Sequence, residues 1–434
     1  MTRDFTDVFP AILHIKGKLQ EAVLRAKTNS AAKPQLHWGQ FIAEYSRDDM
    51  QVGVYGSSCA AIIAKDRDDA FAREARQQLF TYVTTARDAN SELAHNIKLA
   101  MIVLALSPPP GQDADQKMLN YLSELLSRCS QVTKLWPAYT PTSEHSTVRF
   151  VPRDSEVVTS IIIILLNEVY RCLEHPAKYG QERAQIKGQV EASATALEQA
   201  YATKQPLVGR FFGLTSSAVI LVKGRTANKM VRRAFREAVR TRDFSDRRVL
   251  FYDCLRNGTL TRDYFIVPIA VVLPIVADKS DAKSIDRALA FIGAEELVRQ
   301  LDGSGLFRTG QEYSSTVEQL LVYLSLKSVC RGKKLLSTIW DQAALSWLHI
   351  TQSGPTGVPT RQISVLVILL WIVTAAAILG KLIPVGLRSL PGLSYIYEFA
   401  SFFPEAITAF LVFLVGALPA SKALFLRLME KKLQ

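Results

Sequence analysis

The chain has 434 residues, 48% hydrophobic and 21% charged, with 52 Lys and Arg against 40 Asp and Glu and a formal charge of +12. That apolar fraction supports a large core and excludes an intrinsically disordered or low-complexity protein. Cys59, Cys129, Cys172, Cys254 and Cys330 stand far apart with no Cys-x-x-Cys pair, and the six histidines are scattered. The cysteines therefore read as buried thiols in a reducing compartment, and neither a disulfide framework, a metal site nor a cofactor is expected.

The first residues, Met-Thr-Arg-Asp-Phe-Thr-Asp, are polar and lack a secretory signal. Residues 1–34 are read as an N-terminal helix. From 35 to 352 the chain alternates two kinds of 3.6-period segment, predicting an all-α domain. Segments apolar on every side cover 55–64, 96–106, 157–169, 215–222, 262–276 and 314–326. Amphipathic, charge-rich segments follow them at 69–87, 113–131, 181–203, 229–240, 284–301 and 334–348. A helix apolar all round must be enclosed by protein, whereas an amphipathic one faces solvent. Six buried-then-exposed pairs are most economically satisfied by a six-hairpin α/α toroid, with an open superhelix of helix pairs as the other solution.

Hydroxyl and acidic residues gather where the buried segments start: Ser57 and Ser58, Asp154 and Ser155, Thr215, Asp263, and Ser314. Helix capping explains most of them. In a toroid the parallel inner helices would also present their N-termini, with unpaired N–H groups and positive dipole ends, at one mouth. A ligand pocket is expected there, rimmed by Tyr55, Ser57, Ser58, Arg153, Asp154, Thr215, Arg262, Asp263, Arg308, Glu312, Tyr313 and Ser314.

Three stretches, VGVYGSSCAAIIAK (52–65), DSEVVTSIIIILL (154–166) and GLFRTGQEYSSTVEQLLVYL (305–324), resemble repeats of the terpenoid cyclase and protein prenyltransferase superfamily. The likeness rests on Gly, small hydroxyls and an apolar run, and implies the ring rather than an activity. Class II cyclases of that superfamily protonate an alkene with the middle Asp of Asp-x-Asp-Asp. Asp66-Arg67-Asp68-Asp69 matches the pattern, making Asp66, Asp68 and Asp69 weak catalytic candidates. Acids at a helix start are explained as simply by the dipole, and Arg67 favours ionised carboxylates, the wrong state for an acid. No nucleophile–base pair or phosphate loop stands out, so an enzyme is the less favoured reading.

Residues 223–248 hold ten Lys and Arg against Glu237, Asp243 and Asp246. On a helix Lys229, Arg232, Arg233, Arg236 and Arg240 share one face. That face is either simply solvated or in contact with anionic lipid headgroups, each cation near a membrane contributing about 1 kcal/mol. Nucleic acid is the least favoured partner, because no aromatic interleaving accompanies the charge.

After a Pro- and Gly-containing linker (353–362), residues 363–380 (ISVLVILLWIVTAAAILG) are uncharged and long enough to span a bilayer. A second uncharged stretch, 406–421, completes a hairpin, and the aromatics between the two suit a membrane interface. Lys422, Arg427, Lys431 and Lys432 outnumber Lys381 and Arg388, which orients the hairpin with its tail and the large domain in the cytoplasm. The expectation is a cytoplasmic toroid on a bacterial inner membrane, binding an unidentified ligand or protein partner and coupled to the hairpin, self-assembly included. That layout resembles effectors of bacterial defence and stress. The alternative is an enzyme handling isoprenoid lipids.

Overall fold

A computed structural model describes residues 5–27, 36–39, 41–43, 52–67, 70–85, 93–109, 112–140, 155–203, 212–241, 247–256, 259–268, 272–301, 303–307, 313–332, 341 and 344. Among them the fold is all-α in its core. The helices are α1 (Phe5–Arg25), α2 (Val54–Ala64), α3 (Ala70–Thr85), α4 (Asn96–Leu106), α5 (Gln116–Ser127), α6 (Glu156–Cys172), α7 (Pro176–Thr203), α8 (Phe212–Lys223), α9 (Lys229–Thr241), α10 (Ser284–Gln300) and α11 (Thr316–Gly332). Four strands, β1 (Phe41–Ala43), β2 (Arg247–Arg256), β3 (Thr259–Pro268) and β4 (Tyr313–Ser315), form two antiparallel pairs.

Composition separates the helices into two layers. Every residue of α2 is buried, as are ten of the eleven in α4. By contrast, α5 buries only Met118, Tyr121, Leu122 and Leu125, one stripe at helical spacing. Its start is fixed by Asp115, whose carboxylate accepts the Lys117 N–H at 2.7 Å. Ser155 does the same for α6, accepting from the Val158 N–H at 3.3 Å.

The buried elements pack in chain order. Helix α2 lies against α4, α4 against α6, α6 against α8, α8 against the 3-10 turn Leu273–Asp278, and that turn against α11. The circuit then returns, because α11 packs on α2. Outside it, α3 covers α2, α5 covers α4, α7 covers α6 and α8, and α9 covers α8. The place between α11 and α2 is taken by α1. Gln20 donates to the Ile63 carbonyl at 2.6 Å, which locks α1 to α2. Trp136 is sealed in the core and joins the connection after α5 to both layers. Its indole donates to the Leu125 carbonyl at 2.8 Å, and its backbone N–H donates to Thr159 Oγ1 at 2.9 Å.

Two sequence expectations are corrected here. The described residues of 262–276 are not α-helical: Arg262 and Asp263 lie on β3, and the end of the segment enters the 3-10 turn. The ten-residue strands β2 and β3 pair in full register, with Phe251 opposite Tyr264 and Asp253 opposite Arg262, and β3 lies beside α11. Tyr313 and Ser314 likewise belong to β4, paired with Ala43 and Ile42 of β1, and the helix begins only at Thr316.

Packing divides the chain into two compact units, Met1–Ala282 with Leu289–Leu336, and Lys283–Ala288 with Ser337–Gln434. The circuit belongs to the first. In the second, Arg287 donates to Asp341 at 2.6 Å, and both side chains are buried. No helix among the described residues is long and apolar enough to cross a membrane. The stretches 363–380 and 406–421, the linker and most of 334–348 lie outside the described residues.

Candidate functional site

Like ends of the buried elements meet, so they run parallel. At one end the Ser160 and Thr215 hydroxyls of α6 and α8 are 3.3 Å apart, and Cys59 of α2 reaches the Thr316 carbonyl of α11 at 3.0 Å. At the other end Lys65, immediately after α2, donates to the Leu104 carbonyl of α4 at 2.6 Å and lies 3.9 Å from Cys172 Sγ of α6. Parallel helices bring their negative dipole ends together, and that end therefore calls for cations. Arg76 supplies one to α4, donating to the Ala105, Leu106 and Ser107 carbonyls, each at 3.2 Å. Arg183 supplies another to α6 through the Tyr170 and Leu173 carbonyls. Arg232 supplies a third to the turn after α8, at Gly224 and Ala227.

The remaining cations enter a network with three carboxylates. Arg331 of α11 grips Glu168 of α6 with both terminal nitrogens (2.9 and 2.5 Å), and its Nε donates to Asp278 at 2.8 Å. Arg171 reaches Asp278 at 3.3 Å, and Lys327 lies 4.0 Å from Glu168. Lys327 also donates to Asp66 at 2.9 Å, while Tyr323 donates its phenolic hydrogen to the other oxygen of Asp66 and Lys16 stands 3.8 Å away. Two of these links join elements that are not neighbours in the circuit: α6 with α11 through Glu168 and Arg331, and α6 with the 3-10 turn through Arg171 and Asp278. The network thus braces the end of the unit from side to side.

Burial and charge act in opposite directions on the three acids. Burial alone would raise Glu168, but the paired Arg331, with Lys327 and Arg171, outweighs it and holds the carboxyl below its usual range. Asp66 is lowered in the same way, burial being overcome by Lys327 and the Tyr323 hydrogen bond. Asp278 goes the other way: burial, joined by the charge of Glu168, raises it in spite of both arginines. Its second oxygen, Oδ1, has no hydrogen-bond partner. Burial also lowers Lys65, to about 8, helped by Arg76 and Lys327. Among the described residues no group of His, Cys, Asp and Glu could hold a metal.

The residues expected at the opposite mouth are brought together only in part. Tyr55 is buried at the start of α2 with the Lys98 ammonium 4.8 Å from its ring centre. Ser57 and Ser58 are 3% and 0% exposed, and their hydroxyls have no partner. Thr215 is buried against Ser160. Arg153, Asp154, Arg308 and Glu312 lie outside the described residues, as do Asp68 and Asp69. Of the Asp-x-Asp-Asp pattern Asp66, the first acid, is described, with its carboxyl held below the usual range; the middle Asp68, the proton donor in the cyclase reading, is among the residues not described. Along α9, Lys229 and Arg233 are exposed, but Arg232 is buried against backbone carbonyls and cannot serve an external anion. Sequence reasoning missed Glu168, Asp278 and Arg331; the available signal was a charged residue at the end of each otherwise apolar segment.

No protein-family model matches the chain, and no curated protein sequence matches it.

Proposed function

We propose that the chain is a membrane-anchored α/α toroid that binds a ligand or protein partner and passes the event to a C-terminal membrane hairpin. The circuit of parallel buried helices, returning from α11 to α2, carries this reading. A circuit of that kind has two unlike mouths. Here the C-terminal mouth is braced by Arg331, Glu168 and Asp278, which leaves the mouth near Ser57, Ser58 and Thr215 as the side for a ligand. The uncharged run 363–380 and the basic tail support the anchor and its orientation, with the toroid on the cytoplasmic face of a bacterial inner membrane. The exposed Lys229 and Arg233 fit headgroups of that leaflet. A large binding domain on a small hairpin fits a defence or stress effector that alters membrane permeability.

The test compares the full chain with a chain lacking residues 363–434. The full chain is expected to pellet with membranes, to need detergent for release and to slow growth when expressed, and the shortened chain to be soluble and harmless. A full chain recovered in the soluble fraction, or equal growth of both strains, would end the proposal.

A further inference from the structure

Cys172 and Lys65 stand close together at the braced end, outside the ion network. Cys172 is the last residue of α6, one turn beyond Glu168, and is partly exposed. Cys59 and Cys129 are buried instead, the first against the Thr316 carbonyl and the second against Gln189 and Ser193. The Cys172 thiol has a primary amine 3.9 Å away, Lys65 Nζ, at the end of a helix that does not adjoin α6 in the circuit. Lys65 carries its nitrogen on a flexible four-carbon stem, so sulfur and nitrogen can come into bonding contact by side-chain rotation alone.

We propose that Cys172 and Lys65 are a peroxide-responsive pair that closes into a sulfenamide, a covalent S–N bond tying the end of α2 to the end of α6. The Cys172 thiol gives up its proton as its sulfur attacks one oxygen of hydrogen peroxide; the O–O bond breaks, the departing hydroxide takes up that proton, and a sulfenic acid and one water result. The neutral Lys65 amine then attacks the sulfur, its lone pair forming the S–N bond, while the sulfenic oxygen leaves with the amine proton as a second water. Sulfur is oxidised by two electrons, one peroxide is reduced to two waters, and a small thiol returns both side chains by reduction. The reaction needs neutral amine, and burial supplies it by drawing Lys65 down to about 8, where an ordinary lysine would remain almost wholly protonated. The surroundings suit the product. Lys65 loses its positive charge beside Arg76 and Lys327, both of which repel it, and Asp66 keeps Lys327 and Lys16 as partners. The bond would add a covalent strut to the Arg331–Glu168 brace and fix that mouth, independently of any membrane hairpin.

The experiment uses the purified full chain in detergent, treated with hydrogen peroxide, capped with N-ethylmaleimide and digested without reductant. Mass spectrometry is expected to find the Lys65 peptide joined to the Cys172 peptide at their summed mass less two hydrogens, and dithiothreitol to separate them. Dimedone, which traps sulfenic acid, should label Cys172 several-fold more strongly in Lys65→Arg than in the wild type. Absence of the joined wild-type peptide after peroxide overturns the proposal whether or not the variant folds. So does equal dimedone labelling of the two proteins, or a disulfide in place of the S–N bond.

Discussion

Replacing Arg331 by Leu tests whether the brace at the C-terminal ends stabilises the circuit. The change removes three hydrogen bonds to carboxylates and leaves Glu168 and Asp278, whose side chains are 4% and 2% exposed, with more distant cations only. Breaking a buried ion pair from one side costs about 3–5 kcal/mol, because the abandoned charge stays desolvated. The Arg331 side chain is 28% exposed and Arg171 still reaches Asp278 at 3.3 Å, so the lower end applies, about 3 kcal/mol. At about 2 °C per kcal/mol for a domain of this size, the melting temperature should fall by roughly 6 °C. Thermal and urea unfolding followed by circular dichroism would read this directly. The triple change Arg331→Leu, Glu168→Leu and Asp278→Asn should recover most of the loss, since no buried carboxylate is then left without its partner and Arg171, 35% exposed, can turn to solvent. An Arg331→Leu protein as stable as the wild type, or a triple variant worse than the single one, would refute the argument.

Asp278→Asn should stabilise the protein, and the gain should depend on pH. The folded carboxyl is raised above its ordinary 3.8, so Asp278 contributes most below that value and loses its contribution as pH rises through the folded one. Urea midpoints should therefore differ most near neutral pH and converge toward about pH 3. Glu168→Gln should behave with the opposite sign, since its folded carboxyl is lowered: its deficit should be largest at neutral pH and vanish as acid removes the wild-type advantage. Gly56→Ala should destabilise by more than about 2 kcal/mol in denaturant titration, although alanine is the better helix former. A Cβ at that site would stand 2.1 Å from the Gly39 carbonyl oxygen and 2.4 Å from that of Trp38, backbone atoms that cannot swing away. On α9, Arg233→Glu should weaken sedimentation with anionic vesicles at unchanged stability, whereas Arg232→Gln should lower stability at its Gly224 and Ala227 contacts.

Much of the helical layout was legible in the sequence because burial on every side leaves a strong mark. The apolar runs at 55–64, 96–106, 157–169 and 215–222 all lie on helices, and the amphipathic segments at 69–87, 113–131, 181–203, 229–240 and 284–301 correspond to helices too. The run at 262–276 was misread because periodicity does not separate a buried helix from a buried strand. Its β-branched and aromatic residues favoured the strand, and Pro268 and Pro274 spoke against a helix interior. The decisive signal lay just before it: Asn257-Gly258 between two apolar runs is the strongest short hairpin mark, and β2 and β3 stand on either side of it. The candidate site was less legible, for a different reason. Glu168, Asp278 and Arg331 are widely separated along the chain, and each alone looks like an ordinary charge near a helix end. Arg232 illustrates the same limit: its spacing puts it among the exposed cations, and only the carbonyls of Gly224 and Ala227 draw it inward.

The contact that returns the circuit to its start joins residues far apart in time as well as in sequence. Cys59 meets Thr316 across 257 positions, and Asp66 meets Lys327 across 261. On the ribosome α2 emerges long before α11 exists, so its apolar flank has no partner through most of synthesis. Until α11 is made, that flank is open to aggregation or to capture by chaperones. Closure of so long a loop is also slow in free solution. A truncation that removes α11 should therefore yield a chain that aggregates, and the edges exposed would be the two that normally seal each other.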